Sequence, residues 1–230
     1  MSYSYSRGLS WPVLLFVVVL VFILVGLLWH PFFFSRTGRG DLTGATKNAG
    51  TLATALLEFR RQYGSYPDQE TREMFLDSGG AYLPADDDAN AYLSQLLVAG
   101  IIDSRKVFYT FSDGFHKSER EVTSQSYLLA AGENGFAYVM TEEGKSLTGM
   151  EASMPVILAP LSRGGHDPRF DPGVFYSGRF VYGKMDGSVT QGKIAEDGTP
   201  LPVDGVPLLQ SGPGTVWGDQ IPVVKMPLKK

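Results

Sequence analysis

LTGATKNAGTLATALLEFRRQYGSYP, at residues 42–67, is the stretch that decides the fold. Its apolar and small residues recur in steps of three and four, which places them on one side of a helix. They are Leu42, Ala45, Ala49, Leu52, Ala53, Leu56, Phe59 and Tyr63. Gly64 follows where a helix needs a residue that tolerates the left-handed conformation, and Pro67 prevents the helix from resuming. Because this helix cannot bury its apolar side alone, we expect the rest of the domain to pack against it.

The composition narrows the function classes. The chain has 230 residues, a net charge of −4 and no cysteine, and its mean hydropathy is −0.03. Because the charge is mixed and mildly acidic, no electrostatic footprint for nucleic acid is visible. The lack of cysteine excludes disulfides and thiolate zinc sites. The length is sufficient for one domain with a hydrophobic core.

The segment before this helix has the pattern of a membrane anchor. Residues 11–29 read WPVLLFVVVLVFILVGLLW, without a charge and with tryptophan at both ends. As a helix this run is about 28 Å long, close to the thickness of a bilayer core. Since no small-x-small cleavage site follows it, we expect an uncleaved transmembrane anchor over residues 11–34. A polar segment, residues 1–10, precedes this anchor and a linker, residues 35–41, follows it, with Asp41 or Thr43 capping the amphipathic helix.

A second helix is predicted over residues 89–99. Tyr92 and Leu96 share its apolar face, and Gly100 fits its C-terminal end. The three consecutive aspartates at residues 86–88 supply the N-cap and a solvated loop. A calcium site there is the alternative interpretation, but it would need more oxygen ligands at alternating positions. A further helical turn is expected over residues 69–76.

The remainder of the domain has the pattern of β-structure. Residues 179–185 and 188–194 flank Asp186-Gly187, a dipeptide preferred in two-residue type I′ hairpins. Residues 155–160 are apolar and flanked by proline, which indicates a strand near a sheet edge. Further segments are predicted as strands at 126–131 and 135–141, as a short strand or loop at 107–111, and as a loop at 162–173. Residues 42–196 therefore form one domain, and repeated proline and glycine predict an irregular tail over residues 197–230.

Two motifs resemble those of the type IV pilin-like and type II secretion pseudopilin-like proteins. Tyr63-Gly64-Ser65-Tyr66-Pro67 is similar to the family's exit from its N-terminal helix, and Met185-Asp186-Gly187-Ser188-Val189 resembles its late DGSV strand turn. The segment at residues 132–138 fits the central strand region of related exported proteins. The resemblance implies an α+β fold in which an N-terminal transmembrane helix is followed by an amphipathic helix packed on a small antiparallel sheet.

The prepilin cleavage motif is absent from this sequence. Prepilins carry a glycine followed by a phenylalanine-led apolar run with glutamate at its fifth residue, whereas here Gly8 is followed by Leu9-Ser10-Trp11-Pro12-Val13. We therefore expect a pilin-like domain on an ordinary anchor and not a filament subunit. Positive charges flank the anchor on both sides, so their distribution does not determine the orientation of the anchor in the membrane. We therefore infer the orientation from the resemblance. It implies a single-pass protein of the cell inner membrane whose C-terminal domain is exported to the periplasm.

No residue set in the sequence forms a recognisable catalytic motif. The histidines His30, His116 and His166 lack metal-ligand spacing, and no G-x-S-x-G elbow or Walker loop is present. Four loop carboxylates could pair for acid–base chemistry, but each has a turn or capping explanation; they are Glu133, Asp167, Asp171 and Asp186. We therefore assign no catalytic, cofactor-binding or metal-binding residue and expect no enzyme and no cofactor. Calcium stays open, although no ligand set supports it.

The function expected from these observations is that of a membrane-anchored pilin-like protein. Its non-catalytic exported domain would act by protein–protein interaction in a secretion or envelope assembly. The expected partners are the membrane and other secretion or pilus-like subunits, without nucleic acid. The alternative is a membrane-anchored exported module that binds a glycan or a peptide with residues 162–173 as its rim, and an exported hydrolase is a third hypothesis.

Overall fold

The computed structural model describes residues 11–12, 15–21, 41–77, 83, 86–122, 127–141, 144–175 and 178–230. The chain divides into two compact units, Met1–Gly38 and Arg39–Lys230. Within the first unit, the described residues 11–12 and 15–21 are helical.

The structure corrects the predicted fold class at the N-terminus. Among the residues that it describes, no helix is both long and apolar enough to cross a membrane. The transmembrane helix is therefore not part of the described fold, and the other positions of the predicted anchor, as well as residues 1–10 and 35–40, lie outside the described residues.

The second unit is an α+β fold with an antiparallel sheet. Its helices are α1 (Leu42–Tyr63), α2 (Gln69–Asp77) and α3 (Ala89–Val98), followed by a 3-10 helix at Arg105–Phe108. Its strands are β1 (Ala137–Thr141), β2 (Pro155–Ala159), β3 (Leu161–Arg163), β4 (Arg169–Phe170), β5 (Arg179–Lys184), β6 (Val189–Lys193) and β7 (Pro222–Lys225). Five strands form one sheet in the order β6-β5-β2-β1-β7, and β3 pairs with β4 separately. All these strand pairs are antiparallel.

Helix α1 lies across the sheet with most of its predicted face buried, whereas Leu42 and Tyr63 at its two ends are half-buried. Its buried residues are Ala45, Ala49, Leu52, Ala53, Ala55, Leu56 and Phe59. The helix approaches β5 so closely that a Cβ at Gly183 would lie 2.9 Å from the Cβ of Ala53. Gly64 ends the helix with φ 79°, and its N–H donates to the carbonyl of Arg60. Asp41 occupies the N-cap position, but its side chain makes no capping hydrogen bond.

Helix α3 confirms the second helix prediction to within one residue. The Asp88 carboxylate accepts a hydrogen bond from the Ala91 N–H at 2.9 Å, as an N-cap should. Gly100 follows the helix with φ 68°. Nine of its ten residues are buried, which places α3 inside the domain.

The β5–β6 hairpin is present, but its turn differs from the predicted type I′. The Lys184 N–H donates to the Ser188 carbonyl at 2.8 Å, so the loop contains the three residues Met185, Asp186 and Gly187. Of these three, only Gly187 has positive φ, at 84°. A type I′ turn needs two such residues, whereas a three-residue loop needs one glycine at its end.

Strand β2 lies in the middle of the sheet, so its predicted edge position is wrong. It pairs with β1 on one side and β5 on the other. Pro155 is its first residue, and the register with β5 shifts between Pro155 and Ile157. Proline is tolerated at the first residue of a strand or at such an irregularity, so the flanking prolines do not exclude a central position.

The C-terminal segment, residues 197–230, is part of the domain instead of an irregular tail. Its strand β7 pairs with β1 over four residues. Trp217 is buried, and its indole N–H donates to the Leu208 carbonyl at 2.7 Å. The Met226 carbonyl accepts a hydrogen bond from Ala89 at the start of α3.

Three further segments differ from their predicted structure. Residues 127–131 form no strand, since their backbone bonds to α3 side chains instead: Leu129 N–H donates to the Ser94 hydroxyl, and the Leu129 carbonyl accepts from Asn90. The predicted loop at 162–173 contains part of the β3–β4 pair. The segment at 107–111 begins inside the 3-10 helix and forms no strand.

Candidate interaction surface

The structure places Glu133 in a buried ionic cluster. Its side chain is 1% exposed and lies 3.6 Å from the Arg105 guanidinium, which is fully buried. Arg120 contacts the other carboxylate oxygen at 3.3 Å, and the Ser118 hydroxyl donates to it at 2.6 Å. Burial opposes ionisation, but the hydrogen bonds from Ser118 and Ala130 and the two arginine charges lower the pKa of Glu133 below its ordinary value. These contacts give Glu133 a structural role that its position in a turn did not predict.

The other three loop carboxylates bond within their own turns. The Asp186 carboxylate accepts from the Ser188 N–H at 2.8 Å, and Asp171 accepts from the Gly173 N–H at 2.9 Å. Asp167 forms ion pairs with Arg163 and Arg169 beside it in the β3–β4 pair. The predicted rim at residues 162–173 therefore contains a short hairpin in which Asp167 is neutralised by two neighbouring arginines.

His116, His166 and the three aspartates at residues 86–88 lie at separate places. His166 is exposed between β3 and β4, His116 is exposed with its backbone N–H on the Gly132 carbonyl, and His30 lies outside the described residues. Asp88 caps α3, while Asp87 accepts from the Tyr92 hydroxyl at 2.8 Å and pairs with Lys225. Within the described part of the chain, no group of three histidine or acidic side chains could hold a metal ion.

Two grooves with charged side chains in their linings lie at the ends of α1. Near its start, a groove of about 430 Å³ is lined by Lys47, Asn48, Lys106 and Tyr109, among others. Within this lining, the Asn48 side chain donates to the Tyr109 carbonyl at 2.8 Å. At the other end, a groove of about 550 Å³ includes Ser65, Asp68, Ser146 and Thr148. There the Ser65 hydroxyl bonds to both Asp68 and Ser146 at 2.9 Å, so these polar groups satisfy one another.

A third surface lies where α1 meets the edge strand β6. Thr46, Gly50 and Thr54 on α1 and Val189 and Gln191 on β6 form it, and we call these five residues the α1–β6 flank. The Gln191 amide donates to the Thr46 hydroxyl at 2.9 Å. A Cβ at Gly50 would lie 3.7 Å from the Val189 side chain. Each of the five residues is half-buried or exposed.

The α1–β6 flank is uncharged, and its threonines are already hydrogen-bonded. The Thr46 hydroxyl donates to the Leu42 carbonyl at 2.7 Å, and Thr54 donates to the Gly50 carbonyl at 2.9 Å. A threonine that bonds back to its own helix offers no free donor to solvent. Covering such a surface costs little desolvation, because charged groups are the expensive ones to remove from water.

Sequence reasoning missed the α1–β6 flank for a definable reason. Thr46, Gly50 and Thr54 recur every four residues, so they share one line along the helix. This spacing is visible in the sequence, but it lies on the polar side of α1 and carries no apolar signal. Only the register of β6, which is a non-local property, shows that this line borders a sheet edge.

No family model, no curated protein and no solved structure matches this chain. The pilin resemblance therefore depends on its two short motifs. These motifs meet in the structure: the Tyr66 hydroxyl, at the exit from α1, donates to the Met185 carbonyl, in the hairpin turn, at 2.7 Å.

Proposed function

We propose that Arg39–Lys230 is a non-catalytic, pilin-like exported domain that acts by protein–protein contact in a secretion or envelope assembly. The observation that carries this proposal is the hydrogen bond between Tyr66 and Met185. The pilin resemblance implies a helix packed on an antiparallel sheet, and its two motifs mark the exit from that helix and the late strand turn.

The contact between the two motifs supports the proposal because it is long-range. Tyr66 and Met185 are 119 positions apart in the chain. Two short glycine-rich motifs that occurred by chance would have no physical reason to meet. Here the hairpin turn also lies beneath α1, since a Cβ at Gly187 would lie 3.6 Å from the Leu57 side chain. The helix exit and the strand turn thus form one structural unit.

The α1–β6 flank is the surface that we propose for partner contact. The carboxylates considered for catalysis are engaged in local turns or in the buried Glu133 cluster, which favours binding over chemistry. The two grooves at the ends of α1 both contain charged side chains in their linings. The flank between them is uncharged, and it is bordered by the backbone of an edge strand. Protein interfaces typically have a core that is depleted of charged residues and a rim that is polar.

Site-specific photo-crosslinking in cells that produce the full chain tests this function. A benzoylphenylalanine residue is introduced at Thr54, in the flank, or at Glu151, which is exposed elsewhere. We expect an adduct from position 54 whose partner, identified by mass spectrometry, is an exported subunit of an envelope or secretion assembly. No adduct at position 54, equal yields from both positions, or a partner that is not exported would each contradict the proposal.

A further inference from the structure

The two edge strands of the five-stranded sheet, β7 and β6, differ in how far other segments of the chain cover them. At the β7 edge, Val224 and Gly165 exchange both backbone hydrogen bonds, at 2.8 and 3.0 Å. This bridge covers the middle of β7 with the chain that follows β3. At the other edge, β6 pairs with β5 on its inner side only. The sheet therefore has one covered edge and one that is open over most of its length.

The register of the hairpin identifies the open groups. The β5–β6 ladder has no register shift from Gly183↔Val189 to Arg179↔Lys193. At the two ends of this ladder, the Lys184 N–H donates to the Ser188 carbonyl and the Ile194 N–H donates to the Gly178 carbonyl. These two bonds show that Ser188 and Ile194 direct their backbone groups toward β5. Since the pattern alternates along an antiparallel strand, Val189 and Gln191 direct their N–H and C=O groups away from β5. Among the described residues, no backbone hydrogen bond from another segment reaches these four groups.

The open stretch lacks the features that usually protect an edge strand. Natural edge strands carry lysine, proline or a bulge, or another segment covers them. The sequence Val189-Thr190-Gln191 contains no charge and no proline, and its ladder is regular. An unprotected edge of this kind is a template for another extended chain.

The protein's own chain already pairs with the end of this edge. The Ala195 N–H donates to the Thr199 carbonyl, and the Leu201 N–H donates to the Lys193 carbonyl, both at 2.9 Å. Pro202 follows, and proline has no N–H with which to continue. Pairing therefore stops beside Lys193 and leaves Val189–Gln191 for a different chain.

The charge beside the open stretch indicates which chain would fit. Arg179 and Lys193 are directly opposite each other in the β5–β6 ladder, and both are exposed. Two like charges directly opposite each other destabilise a sheet, and an acidic side chain placed near them would offset their repulsion. A residue added opposite Gln191 would be a diagonal neighbour of Lys193, within reach of a long side chain.

We propose that an extended segment of a partner protein adds to β6, pairing antiparallel with Val189–Gln191. Four main-chain hydrogen bonds join the two strands, and a glutamate of the partner opposite Gln191 interacts with Lys193 and Arg179. The proposal rests on the proposed function, because it specifies how a protein partner engages the α1–β6 flank. A second copy of this chain is disfavoured as the occupant, because its own Arg179 and Lys193 would add two positive charges beside those already at this edge.

The test uses the full chain and a short peptide of alternating valine and glutamate. Amide hydrogen exchange is measured with and without millimolar peptide. We expect exchange at Val189 and Gln191 to slow by about tenfold or more, while a peptide with lysine in place of glutamate has no effect. No slowing at these two amides, or equal slowing by the lysine peptide, would overturn the proposal.

Two matched variant pairs make the test specific. Gln191→Pro and Gln191→Ala both remove the side chain and its hydrogen bonds to Arg179 and Thr46, but only proline removes the outward N–H. Neither variant removes a backbone hydrogen bond to β5. We expect the acidic peptide to bind Gln191→Pro about fivefold or more weakly than Gln191→Ala. Lys193→Glu should reverse the preference between the two peptides, whereas Lys230→Glu, at the exposed C-terminus, should not. Equal binding in the first pair or an unchanged preference in the second would overturn strand addition.

These outcomes are separable from the test of the proposed function. If the Thr54 adduct forms but the peptide does not protect β6, strand addition is wrong and the protein-contact function stands. If no adduct forms at Thr54, the proposed function is wrong whatever the peptide does.

Discussion

The hydroxyl of Tyr66 donates a hydrogen bond to the carbonyl of Met185 at 2.7 Å, with both residues buried. This bond joins the exit of α1 to the turn between β5 and β6. Burial raises the pKa of the Tyr66 phenol, and the Arg60 guanidinium, 5.6 Å from the ring centre, counteracts part of that rise. The phenol therefore remains a neutral donor at ordinary pH, as this contact requires.

Tyr66→Phe should destabilise the domain by about 1–3 kcal/mol, because it leaves the buried Met185 carbonyl without this donor. Chemical denaturation gives the free energy of unfolding. Tyr63→Phe is the matched control, since Tyr63 is only half-buried at the same helix end. Equal losses of unfolding free energy in the two variants would show that the bond to Met185 does not stabilise the domain more than any other contact at this helix end.

The close approach of α1 to the sheet predicts opposite effects for two glycine substitutions. Gly183→Ala should cost about 1–3 kcal/mol, since its Cβ would lie 2.9 Å from Ala53 and 2.8 Å from Ile157. Gly50→Ala should instead stabilise by about 0.5–1 kcal/mol, because alanine favours the helix and the nearest side chain is 3.7 Å away. Thermal unfolding of both variants checks the signs, and a stabilised Gly183→Ala would contradict this packing.

The buried cluster predicts that Glu133→Gln destabilises the domain strongly. Removing the carboxylate takes the counter-charge from the buried Arg105 guanidinium, at a cost of about 3–5 kcal/mol. Glu119→Gln is the control, because Glu119 pairs with Lys106 at the surface and should change stability by at most about 1 kcal/mol. Urea unfolding measures both. A Glu133 variant as stable as the control would refute the structural role of the cluster.

The pKa of Glu133 also predicts how stability depends on pH. Its pKa is lower in the folded than in the unfolded state, so the unfolded state binds more protons as the solution is acidified. The contribution of Glu133 is therefore complete above its ordinary pKa and is lost as the pH falls through the folded value. We expect Glu133→Gln to flatten the fall of unfolding free energy below about pH 5. An unchanged slope would show that other carboxylates carry this dependence.

The elements that the sequence predicts well are those with local signals. Helix α1 follows from apolar spacing and from Gly64, and α3 follows from the Asp88 cap and Gly100. The β5–β6 hairpin follows from Asp186-Gly187, although the dipeptide does not distinguish a two-residue from a three-residue loop. In each case the determining interactions lie within a few residues of one another.

The elements that the sequence misses depend on distant partners. The central position of β2 depends on which strands pair with it, and the flanking prolines suggested the opposite. Strand β7 lies in a segment rich in proline and glycine, and its pairing with β1 is set across more than eighty residues of chain. The Glu133 cluster and the open edge of β6 are likewise non-local, since they depend on Arg105, Arg120 and the sheet order.

The most direct test of protein contact through the α1–β6 flank is a photo-crosslinking scan along α1 in producing cells. Adduct yield is compared at positions 46, 50 and 54, which lie in the flank, and at positions 47 and 51, which line the groove on another side of the helix. Our account predicts a four-residue periodicity, with adducts to one exported partner at 46, 50 and 54 and little yield at 47 and 51. Uniform yields along the helix, or maxima at 47 and 51, would contradict it.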